Sequence, residues 1–182
     1  MLLTEIQRTV LEAASSKFQV YGEEQWVDAA KMETKFNFIA ALKEETPPIR
    51  LRAQVEFSFD AVYTGALVYG TVYNEEGEEI EPEMDLEIKV NLPTDESKTI
   101  DMEKLQQSVA GIIGREPAII HNERLTLHPT DKYRHEYVIE YFWMISQESF
   151  LNVELYKNIF LELERLLNYL KLKQCSEAER SI

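Results

Sequence analysis

The chain is poor in several residue types, and each shortage excludes a class of protein. Its 182 residues include one cysteine, Cys175, so neither an intramolecular disulfide nor a cysteine metal cluster can form. With only six glycines and six prolines, 45% hydrophobic and 29% charged residues, the composition is globular rather than disordered or fibrous. No stretch approaches the roughly 18 to 20 apolar residues of a membrane helix, and residues 1–10 lack the apolar segment of a signal peptide. The cytoplasm is therefore the expected location.

Basic residues are also scarce. The chain has 19 lysines and arginines against 33 aspartates and glutamates, a formal net charge of −14. This charge repels phosphate backbones and anionic lipid surfaces, so neither nucleic acid nor a membrane is an expected partner. A negative surface attracts basic protein segments, although excess carboxylates also serve solubility alone.

Strict alternation of apolar and polar residues predicts two strands, over residues 51–59 and 84–92. Weaker patterns predict strands at 35–43, 62–73, 118–127 and 133–145, with His128 to Asp131 at the turn of the last hairpin. Six glutamates with Gly77 and Pro82 predict an exposed hairpin loop over residues 75–83. Residues 19–34 fit either an irregular connection or the start of a strand.

Three segments have helical periodicity: residues 2–18, 101–114 and 147–173. Thr99 or Asp101 is suited to cap the start of the middle helix, and Gly114 its end. The last segment has a wide apolar stripe from Leu151 to Leu170. Short connections between strands, with helices at the ends, favour an α+β fold with an antiparallel sheet of about six strands packed against these three helices. We expect one domain over residues 1–174 and a polar tail over 175–182.

All three histidines, His121, His128 and His135, occur within fifteen residues. Imidazoles are metal ligands and titrate near neutral pH, and the predicted hairpin would place His121 across from His135. The candidate metal ligands are therefore His121, His135 and Glu123, with Glu136 as the alternative carboxylate. The competing interpretation is a group of surface histidines, because their spacing matches no compact metal motif.

A set of aromatic residues suggests a second surface for a ligand or partner, because amphipathic rings suit partly wet contacts. Its members are Tyr63, Tyr69, Tyr137, Tyr141 and Trp143. Ordinary cross-strand packing is the alternative. The sequence contains no phosphate loop and no nucleophile elbow, so an enzyme is not favoured and no cofactor is expected.

The order of helix, strands, helix, strands and helix in a small acidic protein resembles that of secretion chaperones. The resemblance is one of element order. A homodimer that holds a protein client is suggested by the acidity, by the absence of a catalytic motif and by the width of the apolar stripe of the last helix. The first hypothesis is therefore a non-enzymatic, chaperone-like binding protein. A small-molecule module using the tyrosine-rich face and an enzyme or metal-binding protein using His121 and His135 are the alternatives.

Overall fold

A computed structural model describes residues 2–28, 33–43, 51–60, 72–95, 100–123 and 133–179. These residues form an antiparallel sheet of six strands, a separate two-stranded hairpin and three helices, which confirms the predicted α+β class. The helices are α1 (Leu2–Lys17), α2 (Met102–Ile113) and α3 (Val153–Glu179). The strands are β1 (Phe18–Asp28), β2 (Glu33–Leu42), β3 (Arg52–Asp60), β4 (Val72–Tyr73), β5 (Glu79–Ile80), β6 (Glu83–Asp95), β7 (Ala118–Glu123) and β8 (Tyr133–Ser146).

The main sheet has the order β1-β2-β3-β6-β8-β7, and all of its pairs are antiparallel. The excursion between β3 and β6 includes the β4–β5 hairpin, whose turn has Gly77 at a positive φ of 83°. This confirms the exposed hairpin predicted at the glutamate run. Most of the strand predicted at 62–73 lies outside the described residues.

The apolar rows of the central strands all face one side of the sheet, where α1 and α3 cover them. The Phe38 ring lies in the core on this side of the sheet. Its centroid is 5.9 Å from that of Phe36, 6.4 Å from that of Phe57 and 6.2 Å from that of Phe160 on α3. Most of the stripe is buried between the sheet and α1, although Leu151, which precedes α3, is 46% exposed. Its buried members are Tyr156, Ile159, Phe160, Leu163, Leu166, Leu167 and Leu170.

Helix α2 has both caps that its sequence predicts. The Asp101 carboxylate accepts a hydrogen bond from the Lys104 backbone N–H at 3.2 Å, which satisfies a donor that the first turn leaves without a partner. Gly114 ends the helix in the left-handed region at φ 66°, and its N–H donates to the Ala110 carbonyl. A side chain at this φ would be strained, which is why glycine is favoured here.

Residues 19–28, for which the sequence pattern favours no one structure, belong to the edge strand β1. Gly22, at φ 66°, lies in a bulge where the register shifts between Tyr21 and Glu24. Most of β1 beyond the bulge is exposed, so its sequence lacks an apolar row. A bulge in an edge strand also discourages another chain from pairing with it.

The last helix begins at Val153, later than the Gln147 start that its periodicity predicts. Residues Gln147–Ser149 form a 3-10 turn, and the Asn152 side chain accepts a hydrogen bond from the Leu155 N–H at 3.1 Å. The buried Tyr156 hydroxyl donates to the Phe150 carbonyl at 2.9 Å and fixes this corner. The helical backbone then continues to Glu179, into the segment expected to be a tail.

The opposite face of the sheet is covered by none of the described helices. Its rows are polar or partly exposed, as the ion pairs of Lys35 with Glu56 (2.8 Å) and of Lys89 with Glu140 (3.5 Å) illustrate. No helix within the described ranges is both long and apolar enough to cross a membrane.

Replacing phenylalanine with alanine should cost much more stability on the covered face than on the open face. We expect Phe38→Ala to lower the free energy of unfolding by about 3–5 kcal/mol, because it leaves a cavity among packed rings. Phe142→Ala, on the open face and 66% exposed, should change it by no more than about 0.5 kcal/mol. Urea unfolding of both variants measures this difference, and equal losses would contradict the one-sided core.

Candidate functional site

The structure brings His121 and His135 into contact on adjacent strands. In the register of β7 and β8, His121 lies opposite Tyr137 and Glu123 lies opposite His135, so the two histidines are diagonal neighbours on one face. Their ring centroids are 5.2 Å apart, and Nε2 of His121 lies 3.1 Å from Nδ1 of His135. One imidazole N–H therefore donates to the other ring, and the acceptor nitrogen must be unprotonated.

Tyr137 packs against the His121 ring of this pair. Its ring is stacked on that of His121 with centroids 4.6 Å apart and planes inclined by 17°. Tyr137 is buried, whereas His121 is exposed and His135 is half-buried. The buried ring therefore forms a fixed platform that orients an accessible imidazole.

Glu123 shares the face of the two histidines, but it does not complete a cluster with them. Among the residues that the structure describes, no three histidine, cysteine, aspartate or glutamate side chains are grouped so as to hold a metal ion. His128 lies outside the described ranges.

The predicted aromatic surface is divided by the structure. Tyr137 and Tyr141 are buried, each 2% exposed, on the face that the helices cover. Trp143 is half-buried and makes an edge contact with Tyr141, with centroids 5.1 Å apart. Tyr63 and Tyr69 lie outside the described residues. The three described members therefore do not line an open concave surface.

Arg115, which sequence reasoning missed, occupies the edge of β8 beyond the end of β7. Its guanidinium donates a hydrogen bond to the Phe142 carbonyl at 2.9 Å and lies 4.0 Å from the centroid of the Trp143 ring. Strand β7 begins its pairing at Ala118 with Glu140, so this hydrogen bond satisfies a carbonyl that β7 does not reach. The available signal was the Gly114 cap, which ends α2 immediately before this arginine.

Arg115 and two side chains close to it, Tyr141 and Glu162, contain buried polar atoms. Within the described residues, the Tyr141 hydroxyl, Nε of Arg115 and Oε2 of Glu162 have no hydrogen-bond partner in the protein. Burial raises the pKa of the Glu162 carboxyl, and the charges of Arg115 and Arg165 only partly oppose this. Burial also raises the pKa of the Tyr141 hydroxyl and lowers that of the Arg115 guanidinium. The neutral form of Glu162 is thus favoured relative to a solvated glutamate.

Ile120, Phe142 and Met144 are exposed on the open face of the sheet, where Phe142 and Met144 form an apolar patch and Ile120 lies apart from them, beyond Glu140. These side chains are 45%, 66% and 63% exposed, respectively. Phe142 and Met144 are neighbours along β8, and Ile120 lies on the adjoining strand opposite Val138. Large apolar side chains grouped on a surface are typical of an interaction site.

An acidic row runs beside the apolar patch along β6. Glu87 lies directly opposite Phe142, Asp85 opposite Met144, and Glu83 opposite Ser146. The nearest cation on β6, Lys89, already pairs with Glu87 at 3.2 Å and with Glu140 at 3.5 Å. The acidic row and the apolar patch therefore form one composite surface with negative charge.

No family model, curated protein or solved structure matches the chain.

A cavity of about 370 Å³ lies between the end of α1 and the middle of α3. Three lysines are among its lining residues: Lys17, Lys43 and Lys171. Lys17 pairs with Glu164 at 3.0 Å, Lys43 donates to the Ser16 carbonyl at 3.4 Å, and Lys171 also has a partner. Each of these three lysines therefore already has a partner within the protein.

The burial of Glu162 predicts a stability that depends on pH. A carboxyl whose pKa is raised by folding destabilises the fold once it ionises, and the penalty develops between the unfolded and the folded pKa. It is absent below the unfolded value and complete above the folded one. We therefore expect Glu162→Gln to stabilise the protein more at about pH 7.5 than at about pH 4.

Urea unfolding at the two pH values measures this difference. Glu148→Gln, at an exposed position outside the buried group, is the matched control. An advantage of Glu162→Gln that stayed constant, or that grew towards acid, would contradict the prediction.

Proposed function

We propose that the protein is a non-enzymatic, chaperone-like binding protein that holds a basic, partly apolar segment of a protein partner on the open face of its sheet. The observation that carries the proposal is the apolar patch beside the acidic row on a face that no described helix covers. Packing against the helices does not account for Phe142 and Met144, since both side chains are more than half exposed.

The chemistry of the surface favours one kind of occupant. Apolar side chains of a partner would remove Phe142 and Met144 from water, and its lysines or arginines would meet Asp85 and Glu87 one strand away. The flexible side chain of Met144 also adapts to partners of different shape, as a surface that holds varied clients requires. The net charge of −14 adds a long-range attraction for basic segments.

The same surface bears on the expected homodimer. The apolar stripe of α3, which suggested a dimer in the sequence, is buried by α1 and the sheet. A second copy would bring another acidic row against the first if the two open faces met. The charge therefore favours a basic partner over self-association through this face.

A defined peptide probe tests the proposal. We expect an amphipathic helix of alternating leucine and lysine pairs to bind, and to shift the backbone amide NMR signals of residues 83–87 and 142–144. Phe142→Ser with Met144→Ser should raise its Kd at least about tenfold, because exposed hot-spot side chains each contribute more than about 1 kcal/mol. Leu172→Ser, 71% exposed on α3, is the matched control and should leave the Kd unchanged.

Charge and apolarity are separated by two further probes. A leucine and glutamate peptide of the same pattern should not bind, and a lysine-only peptide should bind more weakly. Signals that shift on the helices instead, or equal binding of all three peptides, would overturn the proposal. A dimer in light scattering that Phe142→Ser with Met144→Ser dissociates would also overturn it, by showing that a second copy occupies the face.

A further inference from the structure

We infer that His121 and His135 form a binding site for a divalent transition-metal ion with an affinity for imidazole, of the class of Zn²⁺, Ni²⁺ and Cu²⁺. The site is independent of the proposed protein-binding face: odd-numbered residues of β7 and β8 face the helix side, while Phe142 and Met144 face the other. Either proposal can therefore fail without the other.

The distance between the two ring nitrogens is the first argument. Nε2 of His121 and Nδ1 of His135 are 3.1 Å apart. Nitrogens bound to one ion at about 2.0–2.1 Å, with an angle between about 90° and 109°, are separated by about 2.9–3.4 Å. The pair therefore already has the nitrogen–nitrogen separation of two ligands of one ion. The ion would lie to one side of the line between the nitrogens, so it would displace the shared proton and each ring would turn its lone pair towards it.

The surroundings of the two rings hold them next to each other. Tyr137 is 2% exposed and stacks on the His121 ring, and the pairing of β7 with β8 fixes both backbones. His121 is exposed at the edge of the sheet, so an ion can reach it from solvent. Preorganised ligands lose less conformational entropy when the ion binds.

Two imidazoles leave coordination positions for water. Glu123, opposite His135 on the same face, belongs to no three-residue group among the described side chains. We therefore assign the pair alone as the protein ligands. The affinity should be lower than that of a structural site with four protein ligands.

Calorimetric titration of the intact protein with ZnCl₂ and with NiCl₂ tests the site. We expect one ion per chain, and a Kd at least about tenfold higher in His121→Ala and in His135→Ala, because each change removes one of two ligands. His128→Ala removes the remaining histidine and Glu123→Gln the neighbouring carboxylate; both should stay within about twofold of the wild type. The melting temperature of each variant is also measured with and without the metal, so that any loss of stability caused by the substitution itself is separated from a loss of binding.

An atom-specific readout keeps the inference testable if a variant fails to fold. In the wild-type protein, Zn²⁺ should shift the imidazole ¹⁵N NMR signals of Nε2 in His121 and Nδ1 in His135. Unchanged affinity in both alanine variants, a loss in His128→Ala, or ¹⁵N shifts confined to other nitrogens would overturn the site. A tenfold loss in Glu123→Gln would overturn the assignment of two protein ligands.

Discussion

The burial of only one face of the sheet is the constraint on which the rest of this structure depends. Helices α1 and α3 cover the apolar rows of the central strands, and the rings of Phe38, Phe57 and Phe160 pack where these layers meet. Because strand side chains alternate, burying one row leaves the other in water. The polar and charged character of the second face, including the ion pairs of Lys35 and Lys89, follows directly.

Both candidate surfaces lie at the β8–β7 end of the sheet. The histidine pair occupies the helix-facing side of β7 and β8 where His121 is already exposed, with the buried Tyr137 as its support. The apolar patch occupies the opposite side of β8. At the edge of β8, Arg115 donates a hydrogen bond to the Phe142 carbonyl and stacks on the Trp143 ring. The β7–β8 end of the sheet thus combines a pair of imidazoles in contact, an open apolar surface and the contact of Arg115 with the edge of β8.

Much of the fold was predictable because local chemistry and burial agree. The alternating segments at 51–59 and 84–92 became central strands, and Asp101 and Gly114 cap α2 as their side chains and backbone freedom require. Strand β1 carried no such signal, because an exposed edge strand needs no apolar row. The start of α3 was also misplaced, since the corner made by Phe150, Asn152 and Tyr156 depends on packing rather than periodicity.

The sequence by itself determined the three helices, the buried side of the two strictly alternating strands and the excess of negative charge, because these follow from residues close together in the chain. Only the tertiary structure decided that His121 lies diagonal to His135, that Tyr141 is buried while Phe142 is exposed, and that Arg115 reaches β8. Those outcomes depend on strand register and on where the helices end over the sheet. Both are set by contacts between residues distant in sequence, which no local pattern records.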